Sequence, residues 1–230
     1  MSALSTMPVV ERFVSINGEG AHAGQFSVFV RFRGCNLSCS YCDTQWACAS
    51  DCPAEQMSID DICAYVVAQH TPCVTLTGGE PLLQPLLPQL VSAFAAATDC
   101  FIEIETNGAC DVSPLAALRS QLGEGRLGIT MDAKSPSSGM AQHMLASNYA
   151  HLTGDDCVKF VVGSAADLDA AAAVIAQHDL IDKCPVFFSP VFGQIEPADI
   201  VAYLDSNGLH RARVQVQLHK VIWPNVERGV

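Results

Sequence analysis

The stretch RGCNLSCSYCDTQW, Arg33 to Trp46, sets Cys35, Cys39 and Cys42 in a C-x3-C-x2-C array. Three thiolates within eight residues can converge on one inorganic centre, because a short loop leaves the backbone free to turn all three side chains inward. A 4Fe-4S cluster has four irons, normally one Cys each, so three cysteines leave one iron open to a non-protein ligand. An open coordination position implies reactivity, as it does at catalytic zinc. A structural zinc site would pair two C-x2-C knuckles or add His ligands at a set distance, and no second knuckle follows downstream. Three unrelated buried thiols are the remaining plain reading.

Outward from this loop, strand and helix patterns alternate. Phe26 to Phe32 (FSVFVRF), bounded by Gly24 and Gly34, reads as the strand that delivers the cysteines. Ser58 opens a helix to about His70, with Asp61 three residues later as a capping-box-like start. Strands are expected at Cys73 to Thr77, Phe101 to Thr106, Leu127 to Asp132, Cys157 to Val162, Val186 to Pro190 and Arg213 to Gln217. Helices are expected at about Pro85 to Ala97, Ser113 to Leu122, Met140 to Ala146, Ala165 to His178 and Pro197 to Asn207. Such alternation gives an α/β fold with a parallel sheet and covering helices. About six βα units rather than eight imply a partial (βα)6, TIM-like barrel.

Active sites of parallel α/β folds gather at the C-terminal strand ends, and the unusual motifs all fall there. The cysteines follow the first strand, Gly78-Gly79-Glu80-Pro81 the next, and Thr106-Asn107-Gly108 the third. Asp132-Ala133-Lys134-Ser135-Pro136 follows the fourth and Ser189-Pro190 the sixth.

With 230 residues, the chain fits a single domain over 1–230. Half of the residues are hydrophobic, yet no apolar run is long enough to cross a bilayer. Met1 to Pro8 lacks the basic start and apolar core of an export signal. Eleven cysteines, an odd count, suit reduced thiols in a reducing compartment, and a cytoplasmic location is expected. Most cysteines beyond the array read as small buried hydrophobes, while Cys48 and Cys52 could serve a second centre or none. A net charge of -12 disfavours a nucleic-acid groove, which needs a basic face. A small-molecule substrate fits better.

With Tyr41 just before the third cysteine, the array resembles the radical S-adenosylmethionine (SAM) superfamily. That resemblance implies that the amine and carboxylate of SAM chelate the open iron, and that one electron from the cluster yields a 5'-deoxyadenosyl radical. It also implies an open-sided barrel. Gly78 to Pro81 is by itself only a tight turn, but it matches the GGE motif of these enzymes, with Gly79 as the main SAM contact. Glu80 either holds the SAM amine or braces the turn.

Five further pieces narrow the resemblance: Ile16-Asn17-Gly18-Glu19-Gly20, Arg31, Cys42-Asp43-Thr44-x-Trp46, Glu105-Thr106-Asn107-Gly108 and Gln217-x-His219-Lys220. In this order they resemble the 7-carboxy-7-deazaguanine synthases of queuosine biosynthesis. The resemblance implies conversion of 6-carboxy-5,6,7,8-tetrahydropterin to 7-carboxy-7-deazaguanine with loss of ammonia, with SAM and Mg2+ as cofactors. It implies a homodimer and an electron donor such as flavodoxin or ferredoxin. Arg31 would pair the substrate carboxylate; Ile16, Asn17, Gly18 and Glu19, with Thr77 and His219, would contact the pterin. Tyr41, Cys42, Asp43, Gly79, Glu80, Asp132, Ala133 and Lys134 would hold SAM, and Thr44 would give Mg2+ a hard oxygen. Glu105 is either the proton-transfer group or an ordinary salt-bridged carboxylate. Relatives carry Ser-Pro-Lys where this chain has Asp132-Ala133-Lys134, so the serine's role has no counterpart here. Ser135 to Gly139 is either a branch-specific feature or a structured turn, and Trp223 to Val230 has no assigned role. An activase installing a glycyl radical on a protein partner is the nearest rival, but gives no reason for Asp43-Thr44 or Arg31. A non-catalytic metal-binding module is the more distant one.

Overall fold

A computed structural model describes residues 5–230. The reading of Met1 to Pro8 falls in part on residues 1–4, outside the described residues. The strands are β1 (Met7–Ile16), β2 (Phe26–Phe32), β3 (Glu55–Met57), β4 (Cys73–Gly78), β5 (Phe101–Thr106), β6 (Leu127–Asp132), β7 (Cys157–Val162), β8 (Val186–Pro190) and β9 (Arg213–Val214). They form one sheet in the order β3-β1-β2-β4-β5-β6-β7-β8-β9. From β2 onward every pairing is parallel, whereas β1 runs antiparallel to β2 and β3. Since β3 and β9 are the two edges and do not pair, the barrel stays open.

The helices are α1 (Gln45–Cys48), α2 (Ile59–Gln69), α3 (Leu87–Ala97), α4 (Ser113–Leu122), α5 (Ala165–His178), α6 (Leu180–Lys183), α7 (Pro197–Ser206) and α8 (Leu218–Ile222). The start of α2 has a physical cause in its sequence: Ser58 Oγ accepts from Asp61 N at 3.1 Å, and Asp61 Oδ2 accepts from Ser58 N at 3.3 Å. This reciprocal cap satisfies two backbone donors that the first turn leaves orphaned.

Alternation along the strands divides the sheet into two unlike faces. Val28, Val30, Phe32, Val74, Leu76, Ile102, Ile104, Ile129, Phe160 and Phe188 join one apolar core with Leu90, Phe94, Leu115, Leu168 and Ile200 of the helices. Phe32, Phe94 and Phe188 are fully buried, each contributing about 1.5–3 kcal/mol by removal from water. The other face is polar. Register neighbours Arg31 and Thr77, Thr75 and Glu103, Glu105 and Thr130, and Asp132 and Lys159 lie side by side across it. A parallel sheet covered on both sides by helices would be apolar throughout, so this face is the lumen of the barrel.

Three expectations change in detail. The helix expected over Met140 to Ala146 is replaced by short 3-10 turns at Ala141–His143 and Ala146–His151. The last strand covers only Arg213–Val214, and the chain turns into α8 at Leu218. The antiparallel β1 has no counterpart among the expected strands; it extends the sheet beyond the first βα unit.

Candidate functional site

The cysteine loop leaves the end of β2 and is fixed at several points. Gly34 N donates to Ala47 O at 2.9 Å, Ser40 N to Ser138 O at 3.1 Å, and Tyr41 Oη to Val161 O at 3.2 Å. The 135–139 segment is thus a structured turn clasping the cysteine loop, itself held by Asp167 through Ser137 N at 2.9 Å. Cys35 Sγ accepts from Leu37 N at 3.4 Å and from Asn107 Nδ2 at 3.6 Å. The Cys48 thiol beside Cys35 and Cys42 lowers both to a pKa of about 6, since it donates to the charged forms. Thiolate is the ligand form of cysteine, so these sulfurs are prepared for metal. Burial raises Cys39, and Lys134 opposes that shift. Cys48 and Cys52 do not converge on a second centre: Cys52 Sγ turns away to Ala47 O at 3.6 Å.

The turn after β4 lies directly under this loop. A Cβ at Gly79 would strike the Gly34 carbonyl and come within 2.7 Å of Cys35 Cβ, so only glycine permits this approach. Fully buried Glu80 braces the turn. Its carboxylate accepts from Thr106 Oγ1 at 2.9 Å, Asn107 N at 2.8 Å and Leu82 N at 3.0 Å. Burial raises its pKa to about 7 against these donors. Through Asn107, the same network reaches Cys35.

Within the lumen, Lys159 Nζ pairs with Glu19 Oε2 at 2.9 Å and Lys134 Nζ with Asp132 Oδ2 at 2.6 Å. Burial pushes the Glu19 carboxyl up, but the Lys159 ammonium together with hydrogen bonding from Ser189, Gln217 and Lys159 outweighs it and holds the carboxyl at about 2. Lys134 is raised by Asp132 against the effect of burial. Among the described residues the second oxygens of both acids, Glu19 Oε1 and Asp132 Oδ1, are buried without a well-formed hydrogen bond, as is Ser189 Oγ, which lies close enough to Glu19 to favour its ionised form. Glu105 makes no side-chain hydrogen bond among the described residues, so it is not an ordinary salt-bridged carboxylate. Arg31 gives only its Nε to Glu11, at 2.7 Å, leaving the outer edge of the guanidinium fork for another anion. Thr77 stands next to it in register.

The Ile16 to Gly20 segment closes the lumen from one side and the C-terminal segment from the other. Leu218 N donates to Gly18 O at 3.0 Å, and the His219 ring lies against the Gly18 Cα. Gln215 clamps Gly20 through both backbone groups, at 2.8 and 3.0 Å. Gln217 Nε2 reaches Glu19 Oε2 at 3.1 Å. Burial lowers the His219 pKa, favouring neutral imidazole. At the rim Lys220 pairs with Asp43 at 3.2 Å, and Arg228 stacks 4.0 Å above Trp46. Asn17 differs from its neighbours in that its side chain points into the barrel floor.

The site fits the groups the sequence implies. Three thiols around one short loop, two of them readily ionised and one receiving N–H donors, match a cluster that takes one Cys per iron. For Mg2+, Thr44 Oγ1 lies 3.6 Å from Cys42 Sγ. Among the described residues no three His, Cys, Asp or Glu side chains converge on a single ion. A Mg2+ here would therefore rest on few protein oxygens plus substrate, its usual habit.

Sequence reasoning missed Lys159 and Glu103, and placed Asn107 and Ser189 in strand-end motifs without giving either a role. The signal was present in the strands themselves, as single polar residues at alternate positions of CVKFVV and FIEIET.

Residues 29–139 match the radical SAM superfamily. The chain is 42% identical over 222 residues to a 7-carboxy-7-deazaguanine synthase of Clostridium acetobutylicum, covering 96% of this chain and 98% of the relative. It is 38% identical to the corresponding protein of Chlorobaculum tepidum, over the full length of both. The crystal structure of QueE from Escherichia coli superposes with a TM-score of 0.68 at 20% identity, covering 92% of this chain and 94% of that one. At that identity the likeness concerns the fold.

Proposed function

The chain belongs to the 7-carboxy-7-deazaguanine synthase family of the radical SAM superfamily, and from that membership we propose how its residues divide the work. The reaction is the ring contraction of 6-carboxy-5,6,7,8-tetrahydropterin to 7-carboxy-7-deazaguanine with release of ammonia. When bound, the cluster and SAM would supply one-electron radical chemistry directed at C6 of the pterin. Cys35, Cys39 and Cys42 hold the cluster. Tyr41 to Asp43, the Gly79 turn and Asp132 to Lys134 hold SAM, with Glu80 acting by bracing that turn. Arg31 pairs the substrate carboxylate; the backbone of Ile16 to Gly18, with Glu19, Thr77 and His219, reads the ring. Glu105 moves the proton that the rearranging ring must lose, and its lack of an internal partner leaves it free to do so. Thr44 contributes to Mg2+, which orients the substrate. The enzyme works as a homodimer in the cytoplasm and draws its electron from a flavodoxin or ferredoxin.

The observation that supports this reading best is the pair of buried lumen acceptors Glu19 Oε1 and Asp132 Oδ1, neither of which has a well-formed hydrogen bond among the described residues. A buried polar atom without a partner is costly; an N–H donor of the pterin ring would satisfy Glu19 Oε1, and a donor of SAM would satisfy Asp132 Oδ1. The test is anaerobic turnover of reconstituted protein with SAM, dithionite, Mg2+ and the tetrahydropterin. Deazaguanine should form, and Thr44→Ala should lose most of the stimulation by Mg2+. Absence of product refutes the assignment, and an unchanged Mg2+ response in the variant removes Thr44 from the metal. Gly79→Ala, forced against the Gly34 backbone, should weaken SAM binding at least about tenfold in equilibrium dialysis.

A further inference from the structure

Below the ligand face, Glu103 occupies the floor of the barrel at 2% exposure. No lysine or arginine pairs with it among the described residues; its partners are neutral. Oε1 accepts from Thr130 Oγ1 at 2.6 Å, and Oε2 accepts from Asn17 Nδ2 at 3.1 Å. Thr75 Oγ1, 3.4 Å from Glu103 Oε2, donates to Asn17 Oδ1 at 2.9 Å. Both ends of the Asn17 amide are therefore fixed from below, by one acceptor and one donor. Glu103 also stands under Gly20, where a Cβ would come within 3.4 Å of Oε1. The floor thus touches the Ile16 to Gly20 segment at two points.

We propose that Glu103 is a positioning residue for the pterin site: acting through Asn17, it sets the backbone of Ile16 to Gly18 against which the substrate ring is read. The inference rests on the reading of that segment as ring-binding. Burial raises the Glu103 pKa to about 7, with Glu105 adding to the shift and Thr130, the more distant Lys159 ammonium and Thr75 opposing it. The neutral carboxyl is then well populated at neutral pH, and an amide of the same shape can replace it. Removing the anchor costs the pterin its prepared binding surface, an effect on binding rather than on the chemical step.

The experiment compares Glu103→Leu and Glu103→Gln as reconstituted holoenzymes, reading KM and kcat for the tetrahydropterin. Glu103→Leu should raise KM about tenfold or more, with kcat changed no more than about threefold. Glu103→Gln should restore KM to near the wild-type value. A Leu variant with wild-type KM overturns the inference, as does a fall in kcat at unchanged KM or a Gln variant as impaired as Leu. Should Glu103→Leu fail to fold, Asn17→Ser decides the matter: it withdraws the anchored amide without emptying the floor, and an unchanged KM then overturns the inference. Wild-type protein that makes no deazaguanine defeats the functional reading itself, whereas active wild type beside an indifferent variant defeats only the role of Glu103.

Discussion

Cys39→Ala should abolish reductive SAM cleavage: deoxyadenosine production falls to background, and iron retained after anaerobic reconstitution drops sharply. The cluster would keep two protein ligands, leaving two irons for small molecules and the cube open to loss. Cys39 is buried but on a loop apart from the main apolar cluster, and its side chain makes no hydrogen bond among the described residues, so the melting temperature of the iron-free protein should fall by only a few degrees. Cys63→Ala is the matched control. That thiol sits on α2, away from the loop, and burial raises it to about 11, so it is protonated at neutral pH and a poor ligand. The control should keep its iron and its activity. Full iron content and cleavage in Cys39→Ala would remove the three-cysteine centre from which the functional reading starts.

The largest loss of stability is expected at a position that no motif marks. Asp156 is buried, with one oxygen accepting from Ile129 N at 2.7 Å and from the Arg119 guanidinium. The other oxygen accepts from Thr153 N at 2.7 Å and Thr153 Oγ1 at 3.1 Å. Asp156→Ala leaves Arg119 charged and buried, and strands the Ile129 amide inside the sheet. Removing one partner of such a pair costs about 3–5 kcal/mol. For a domain of this size that corresponds to a fall of roughly 6–20 °C in Tm, readable by thermal unfolding of the iron-free protein. A shift of only a degree or two would mean that water replaces the carboxylate.

The fold was legible because the parallel strands are short, β-rich and separated by capped helices. Ser58 and Asp61 mark the start of α2 before any coordinates are seen. The antiparallel β1 was harder, since no helix follows it and Glu11 and Arg12 interrupt its apolar pattern. Those two charges belong to the fold, pairing with Arg31 and Glu55 across neighbouring strands. Residues 140–146 form only short 3-10 turns because their polar groups are spent elsewhere, Met140 N on Ser138 Oγ and Leu145 N on Gly108 O.

At the site, residues on the connecting loops could be recognised from short motifs, and Arg31, Thr77 and Glu105 inside the barrel through the family resemblance, while Lys159 and Glu103 could not. Lys159 and Glu103 appear in sequence as isolated charges in apolar strands. Which way each side chain points, and that Lys159 meets Glu19 from 140 positions away in sequence, depends on how the sheet curves. Asn17 shows the converse: it belongs to a recognisable segment, yet its side chain serves the floor of the barrel.

The joining of Gly18 and Gly20 to Gln215 and Leu218 sets an order of events during synthesis. Residues 18–20 wait for residues 215–218, some 195 positions later, so a nascent chain that has not yet exposed the second segment can form its cysteine loop but lacks a finished lumen. Domains fold as they emerge, N-terminal parts first. The lumen is therefore complete only once residues 215–218 have emerged and folded back.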